Sequence, residues 1–282
     1  MNLKHLTEVA GFALVAASLA YLGREILVYH DSLSLHSLPV AIWTRLAALG
    51  FVYGAAMLFL AEQWHRIIGL FGEEPRRRTW PSYTSTLVAR YLPGNVFHIV
   101  GRMAWLRRGG LSDSALLRSS ALELALTPVA AGILLLPFLP FLPQPIPIIS
   151  FVIAAFILIA VAAHPRLRSL AFSWLPRLAP ALIFGLAFMA VLAGVFVAVA
   201  NAVSPVAPQS AVAVALGAWL AGYATPGAPG GIGVREATIV VLLSQTISPE
   251  SAVLVALLFR GVTIVGDVVC FLLGTAARKA VR

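Results

Sequence analysis

The hydrophobic residues of this chain gather into long runs, and six of the runs are long enough to cross a bilayer as helix, which takes about 20 apolar residues. They cover residues 6–28, 38–62, 113–137, 146–163, 178–201 and 250–274. Pro39 and Pro180 stand near the starts of the second and fifth, where a helix tolerates proline. The third decays into a proline-dense stretch from Leu136 to Pro147, which predicts an extended connection. The first follows Lys4 and contains Ser18-Leu19-Ala20, similar to a signal-peptide cleavage site. It continues to Val28 with no soluble domain behind it, which predicts a retained helix.

Two further stretches are apolar but interrupted. Residues 79–110 contain Pro93-Gly94, and residues 210–247 contain Thr225-Pro226-Gly227-Ala228-Pro229-Gly230-Gly231. Each has an apolar half, a Pro-Gly break and a second half that opens with an arginine, Arg102 or Arg235.

Composition agrees with a lipid-facing surface: 60% of the residues are hydrophobic, 11% are charged and the mean hydropathy is +0.92. A soluble domain keeps about a quarter of its residues charged. The net charge of +9 would suggest nucleic acid in a soluble protein; here it points to cytoplasmic loops and anionic headgroups, not nucleic acid. With the N-terminus inside, the cytoplasmic segments hold Lys4, Arg66, Arg76, Arg77, Arg78, Arg166, Arg168, Arg177, Arg278, Lys279 and Arg282. The opposing connections, 29–37, 138–145 and 202–209, contain no lysine or arginine. The positive-inside rule therefore predicts a multi-pass protein of the cell inner membrane with both ends cytoplasmic. For the flanks of each interrupted segment to obey that rule, the segment must return to the side it entered. The expected fold is all-α: six transmembrane helices plus two oppositely oriented re-entrant hairpins, 79–110 and 210–247, in one membrane domain over 1–282.

The hairpins resemble each other. Arg102 lies eight residues after Gly94, and Arg235 eight after Gly227. Each precedes a helix start, at Ser112 with Asp113 as the cap and at Ser248 with Pro249 and Glu250 in the first turn. Pro and Gly recur in any membrane protein, so equal offsets alone carry little. Three crossings separate the hairpins, however, which opposes their orientations. An inverted repeat over about 38–137 and 178–274 follows, and such repeats place a substrate site at their junction.

Ionised groups inside a span cost roughly 2.5–3.5 kcal/mol on insertion scales and so face a cavity or a partner. Candidates are Arg24, Arg45, Arg118, Arg235 and Arg260, with Glu25, Glu62, Glu123, Glu236 and Asp267 as counter-charges. In the second hairpin Gly230 and Gly231 permit close approach, and the following half-helix presents its N-terminus to an anion. Arg235 adds a fork suited to phosphate; alternatively it pairs with a carboxylate such as Glu123 and pins the hairpin. Arg102 is its equivalent beside Gly94, or an anchor at the positive-inside face with Arg107 and Arg108. Glu123 lies about three turns into its span, Arg260 is its natural opposite, and Asp267 follows Arg260 on the same face. Arg24 and Glu25 sit where snorkelling suffices. The single cysteine, Cys270, excludes an intrachain disulfide, and six scattered histidines argue against a metal site. Gly227 to Gly233 lacks the βαβ context of a nucleotide loop, and no Walker, Gly-x-Ser-x-Gly or His-Glu-x-x-His motif occurs, so no cofactor, ATP hydrolysis or catalytic residue is expected.

Arg90-Tyr91-Leu92-Pro93-Gly94, Gly101-Arg102 and Gly110-Leu111-Ser112 resemble the first motif of the flippase-like membrane domain, which also forms the membrane half of lysylphosphatidylglycerol synthases. Pro229-Gly230-Gly231-Ile232-Gly233-Val234-Arg235-Glu236 is similar to its second motif, while Glu123 and Arg260 match its membrane glutamate and final-helix arginine. Asn95 stands where the family often has a basic residue, which weakens a phosphate role for the first loop. The chain ends at Arg282 without the aminoacyl-transferase domain, so lysyl-lipid synthesis is not expected. The resemblance implies translocation of a phospholipid, glycolipid or polyprenyl-phosphate-linked intermediate between leaflets, beside a glycosyltransferase or lipid-biosynthesis partner. A lipid-modifying transferase using Glu123 or Asp267 as base is the alternative, as is a non-catalytic partner of a glycosyltransferase.

Overall fold

Helix is the regular structure of every described residue block, as expected where no backbone group can turn to water. The computed structural model describes residues 17, 19–29, 39–92, 96–146, 165–225 and 228–280. Residues 19–29 form α1. Then follow α2 (Val40–Ile68), α3 (Arg76–Thr84), α4 (Phe97–Arg107), α5 (Asp113–Leu135), α6 (Pro165–Val203), α7 (Pro208–Ala224), α8 (Val234–Leu243) and α9 (Pro249–Ala280). Four stretches are long and apolar enough to cross a membrane: Val40–Ile68, Asp113–Phe141, Ser173–Val203 and Pro249–Arg278. That is the character of a multi-pass membrane protein. The expected span at 146–163 lies outside the described residues save for Ile146, as do 6–16 of the first span and Gly94 of the first hairpin.

The helix ends follow local chemistry. Ser112, not Asp113, caps α5: its Oγ accepts from the Ala115 N–H at 3.2 Å, and Asp113 falls one residue later in the first turn. Ser248 does the same for α9 through the Ser251 N–H at 3.3 Å. The first half of the proline-dense stretch is not extended but a 3-10 turn over Leu136–Phe141, and the chain becomes extended at Leu142. Proline's φ lies within the 3-10 range, so Pro137 and Pro140 continue a tight turn that an α-helix would refuse. α2 runs on past the expected end at 62, because Arg66 pairs with Glu62 one turn back at 2.7 Å. Glu62 is buried and also accepts from Arg76 Nε and Nη2 at 2.9 and 2.7 Å and from Trp80 Nε1 at 2.9 Å. This clamp fastens the polar helix α3 to α2.

α2 packs against α6 and α9. Between apolar helices in lipid no hydrophobic force favours contact, so close approach through small residues supplies the attraction. Gly50 and Gly54, one turn apart on α2, meet Gly266 of α9: a Cβ on Gly266 would lie 2.6 Å from the Gly50 carbonyl oxygen and 2.8 Å from the Gly54 nitrogen. Neither backbone can yield without parting the helices. Gly266→Ala is expected to cost about 1–3 kcal/mol, read as a lowered unfolding midpoint in detergent; an unchanged midpoint would refute the contact.

Both interrupted segments are broken helices. α3, a 3-10 turn (Leu87–Tyr91) and α4 make the first; α7, a 3-10 turn (Pro229–Gly231) and α8 make the second. Their members of 9, 11, 17 and 10 residues are each shorter than a membrane span. The pairs differ in one respect that bears on the repeat. α4 begins at Phe97, so Arg102 is its sixth residue, whereas Gly233, at φ 82°, delays α8 to Val234 and leaves Arg235 its second. Equal spacing from the break thus does not give the two arginines equivalent places.

Candidate functional site: a cavity between the broken helices

A cavity of about 400 Å³ lies between the two broken helices and α5. Tyr83, Leu87 and Arg90 line it from the first segment with His98 and Arg102 of α4. Glu123, Leu124 and Thr127 come from α5, and Leu60 from α2. The second segment contributes Trp219, Gly222, Tyr223, Gly230, Gly231 and Arg235.

Arg102 is buried, with 2% of its surface exposed. Its Nη1 donates to Glu123 Oε1 at 2.9 Å and its Nη2 to Oε2, a two-pronged ion pair between α4 and α5. The guanidinium also lies over the rings of Trp64 and Tyr83, at 4.0 and 5.2 Å from their centroids. Arg102 is therefore held in a buried ion pair, and Glu123 is paired neither with Arg235 nor with Arg260.

Arg260 instead faces Glu236 at 3.3 Å and donates to the Gly230 carbonyl at 3.3 Å. Glu236 also accepts the Gly233 N–H at 2.7 Å, closing the first turn of α8. Asp267, seven residues beyond Arg260 on α9, accepts from Arg90 Nη2 and from the Tyr91 hydroxyl. One face of α9 thus straps both 3-10 turns, the second through Arg260 and the first through Asp267. The two 3-10 turns touch, for a Cβ on Gly230 would lie 3.0 Å from Tyr91 Cε1; within the second segment, one on Gly231 would lie 3.3 Å from Gly222 Cα of α7. With φ of 58° and 73°, both positions also call for glycine by conformation.

Arg235 is the exception. Among the described residues it has no carboxylate within 4.0 Å and no hydrogen bond, and its Nε is buried without a partner. The constellation holds four arginines, at 90, 102, 235 and 260, against three carboxylates, at 123, 236 and 267. One positive charge is left over, and it belongs to Arg235. Arg90 Nε, His98 Nδ1 and Arg102 Nε are likewise buried without partners in the same wall. Such groups ordinarily find hydrogen bonds, since each orphan costs about 1–3 kcal/mol.

Of the residues singled out from sequence, Glu123, Arg102, Arg235, Gly230 and Gly231 line the cavity, with Arg260, Glu236 and Asp267 directly behind it. Arg118 is exposed on α5 and takes no part. Arg90, Tyr91 and His98 were not singled out as site residues; the four-residue step from His98 to Arg102, which puts both on one helix face, was the available signal. Among the described residues no group of three or more His, Cys, Asp or Glu side chains is placed to share a metal ion.

Compared with known proteins, the chain matches no protein-family model and no curated sequence. Its function accordingly rests on this geometry.

Proposed function

We propose that the protein is a lipid flippase that holds an anionic headgroup in the cavity while the lipid's chains stay in the bilayer. The observation that carries this reading is the uncompensated charge of Arg235 in the cavity wall. It stands at the second residue of α8, where the helix dipole and free backbone N–H groups also favour an anion. Its planar fork suits phosphate. Glu123 is the eleventh residue of α5, about 15 Å along it and near the middle of a roughly 30 Å hydrocarbon core. A charged site at that depth suits a ligand with one polar end and one apolar end, such as a phospholipid, a glycolipid or a polyprenyl-phosphate-linked intermediate.

The broken helices are the re-entrant hairpins of this reading, entering from opposite faces of the inner membrane as an inverted repeat, with both chain ends cytoplasmic. The likeness of the motifs around Arg90–Arg102 and Pro229–Glu236 to the flippase-like domain points the same way. Glu123 and Asp267, the carboxylates a lipid-modifying transferase would use as base, are each tied to an arginine, which favours transport over catalysis. Alternating access then means parting the two 3-10 turns that meet at Tyr91 and Gly230. A glycosyltransferase or another lipid-biosynthesis enzyme is the fitting partner.

Leaflet-resolved movement of fluorescent phosphatidylglycerol in proteoliposomes tests the reading. Wild type is expected to exceed empty vesicles, and Arg235→Ala to fall at least tenfold toward that background. Equal rates for both proteins would remove the site.

A further inference from the structure

α5 carries a proline in its interior, Pro128. Proline has no N–H, so the carbonyl four residues back, that of Leu124, loses its helical donor. The donor comes instead from another helix: the Tyr223 hydroxyl of α7 reaches the Leu124 carbonyl at 2.8 Å. The Tyr223 ring is held by stacking on Trp219, with centroids 4.8 Å apart and planes 17° from parallel. Leu124 and Tyr223 are also the exposed members of the cavity wall, at 44% and 36%, while the other described lining residues are buried or partly so. The mouth of the cavity therefore lies at the point where this hydrogen bond crosses from α7 to α5.

The depth of that mouth decides what can use it. Leu124 is the twelfth residue of the apolar stretch Asp113–Phe141, about 17 Å from its start, so the mouth faces hydrocarbon and not water. Leu117, two turns back on the same face, is exposed and apolar as well. A free phosphate would have to cross lipid to arrive there. A lipid is already there, and can slide its headgroup sideways while its chain remains outside.

We propose that the seam between α5 and α7 is the lateral portal of the cavity, where the chain of an amphiphilic, anionic lipid rests, and that the Tyr223–Leu124 hydrogen bond is its latch. The proposal rests on the headgroup reading of Arg235 and adds the route. The latch is local to the seam: the Tyr223 hydroxyl donates to a backbone carbonyl and not to a charged side chain, so removing it deletes no ion pair of the cavity.

The test uses full-length protein in nanodiscs and phosphatidylglycerol with a diazirine on its acyl chain. Photolabelled peptides are expected from α5 around Leu124 and from α7 around Tyr223, and labelling should fall when Arg235 is replaced by alanine. Tyr223→Phe keeps the stacked ring but removes the donor, and is expected to speed the appearance of label about fivefold, the worth of one hydrogen bond. Pro128→Ala returns an N–H to the Leu124 carbonyl, so it should speed labelling in the same direction and add little on top of Tyr223→Phe. Label confined to other helices, no label, or an unchanged rate in Tyr223→Phe overturns the portal. Seam labelling that is indifferent to Arg235→Ala keeps the portal and overturns the headgroup site instead.

Discussion

Glu123→Ala is expected to destabilise the protein by about 3–5 kcal/mol, the usual consequence of removing one partner from a buried ion pair. Arg102 would then carry its charge with 2% of its surface exposed and with an Nε that already has no partner. The rings of Trp64 and Tyr83 would remain beside it, but cation–π contacts return only a fraction of the loss. Glu123→Gln keeps an acceptor in place and should lose less. The informative variant is the double one, Arg102→Leu with Glu123→Leu. Removing both charges removes both desolvation costs, so it should unfold nearer to wild type than either single variant does. Denaturant midpoints in mixed micelles check this; single and double variants that simply add would mean the pair is not desolvated together.

Arg235 predicts the opposite sign. Its charge has no carboxylate within ion-pair distance among the described residues, so Arg235→Met should raise the unfolding midpoint of the ligand-free protein. Methionine fills a similar volume without the charge and with a flexible chain. A residue that only pinned α8 to the bundle would lower the midpoint when replaced. Stability gained with function lost is the mark of a group kept strained for its ligand.

Four of the expected spans were legible because membrane crossing is a matter of length and apolarity, and both are written in runs such as 38–62 and 250–274. The two breaks were legible for the same kind of reason, since each segment carries prolines and glycines that the interior of a helix disfavours. Partner choice was not. Depth along a helix can be counted from the sequence, and Glu123 and Arg260 were matched on depth, but the direction a side chain faces depends on packing. Because α4 packs beside α5, Arg102 reaches Glu123 first, and the glutamate that closes the first turn of α8 stands next to Arg260. The capping exchange between Ser112 and Asp113 turned on a single residue of register. The contact of Gly50 and Gly54 with Gly266 joins residues about two hundred positions apart, and only the packed helices bring them together. The spare charge at Arg235 is of the same kind, for it emerges only once each of the other three arginines has its carboxylate.

One measurement bears most directly on an anionic headgroup at Arg235: thermal unfolding of wild type and Arg235→Met in detergent, titrated with phosphatidylglycerol or with phosphatidylcholine. A ligand that binds only the folded protein stabilises it by about 2.7 kcal/mol at one hundred times its dissociation constant. Wild type should therefore rise with phosphatidylglycerol and stay nearly still with phosphatidylcholine, while Arg235→Met starts higher and responds to neither. Equal shifts from both lipids, or the same phosphatidylglycerol shift in Arg235→Met, would contradict the account.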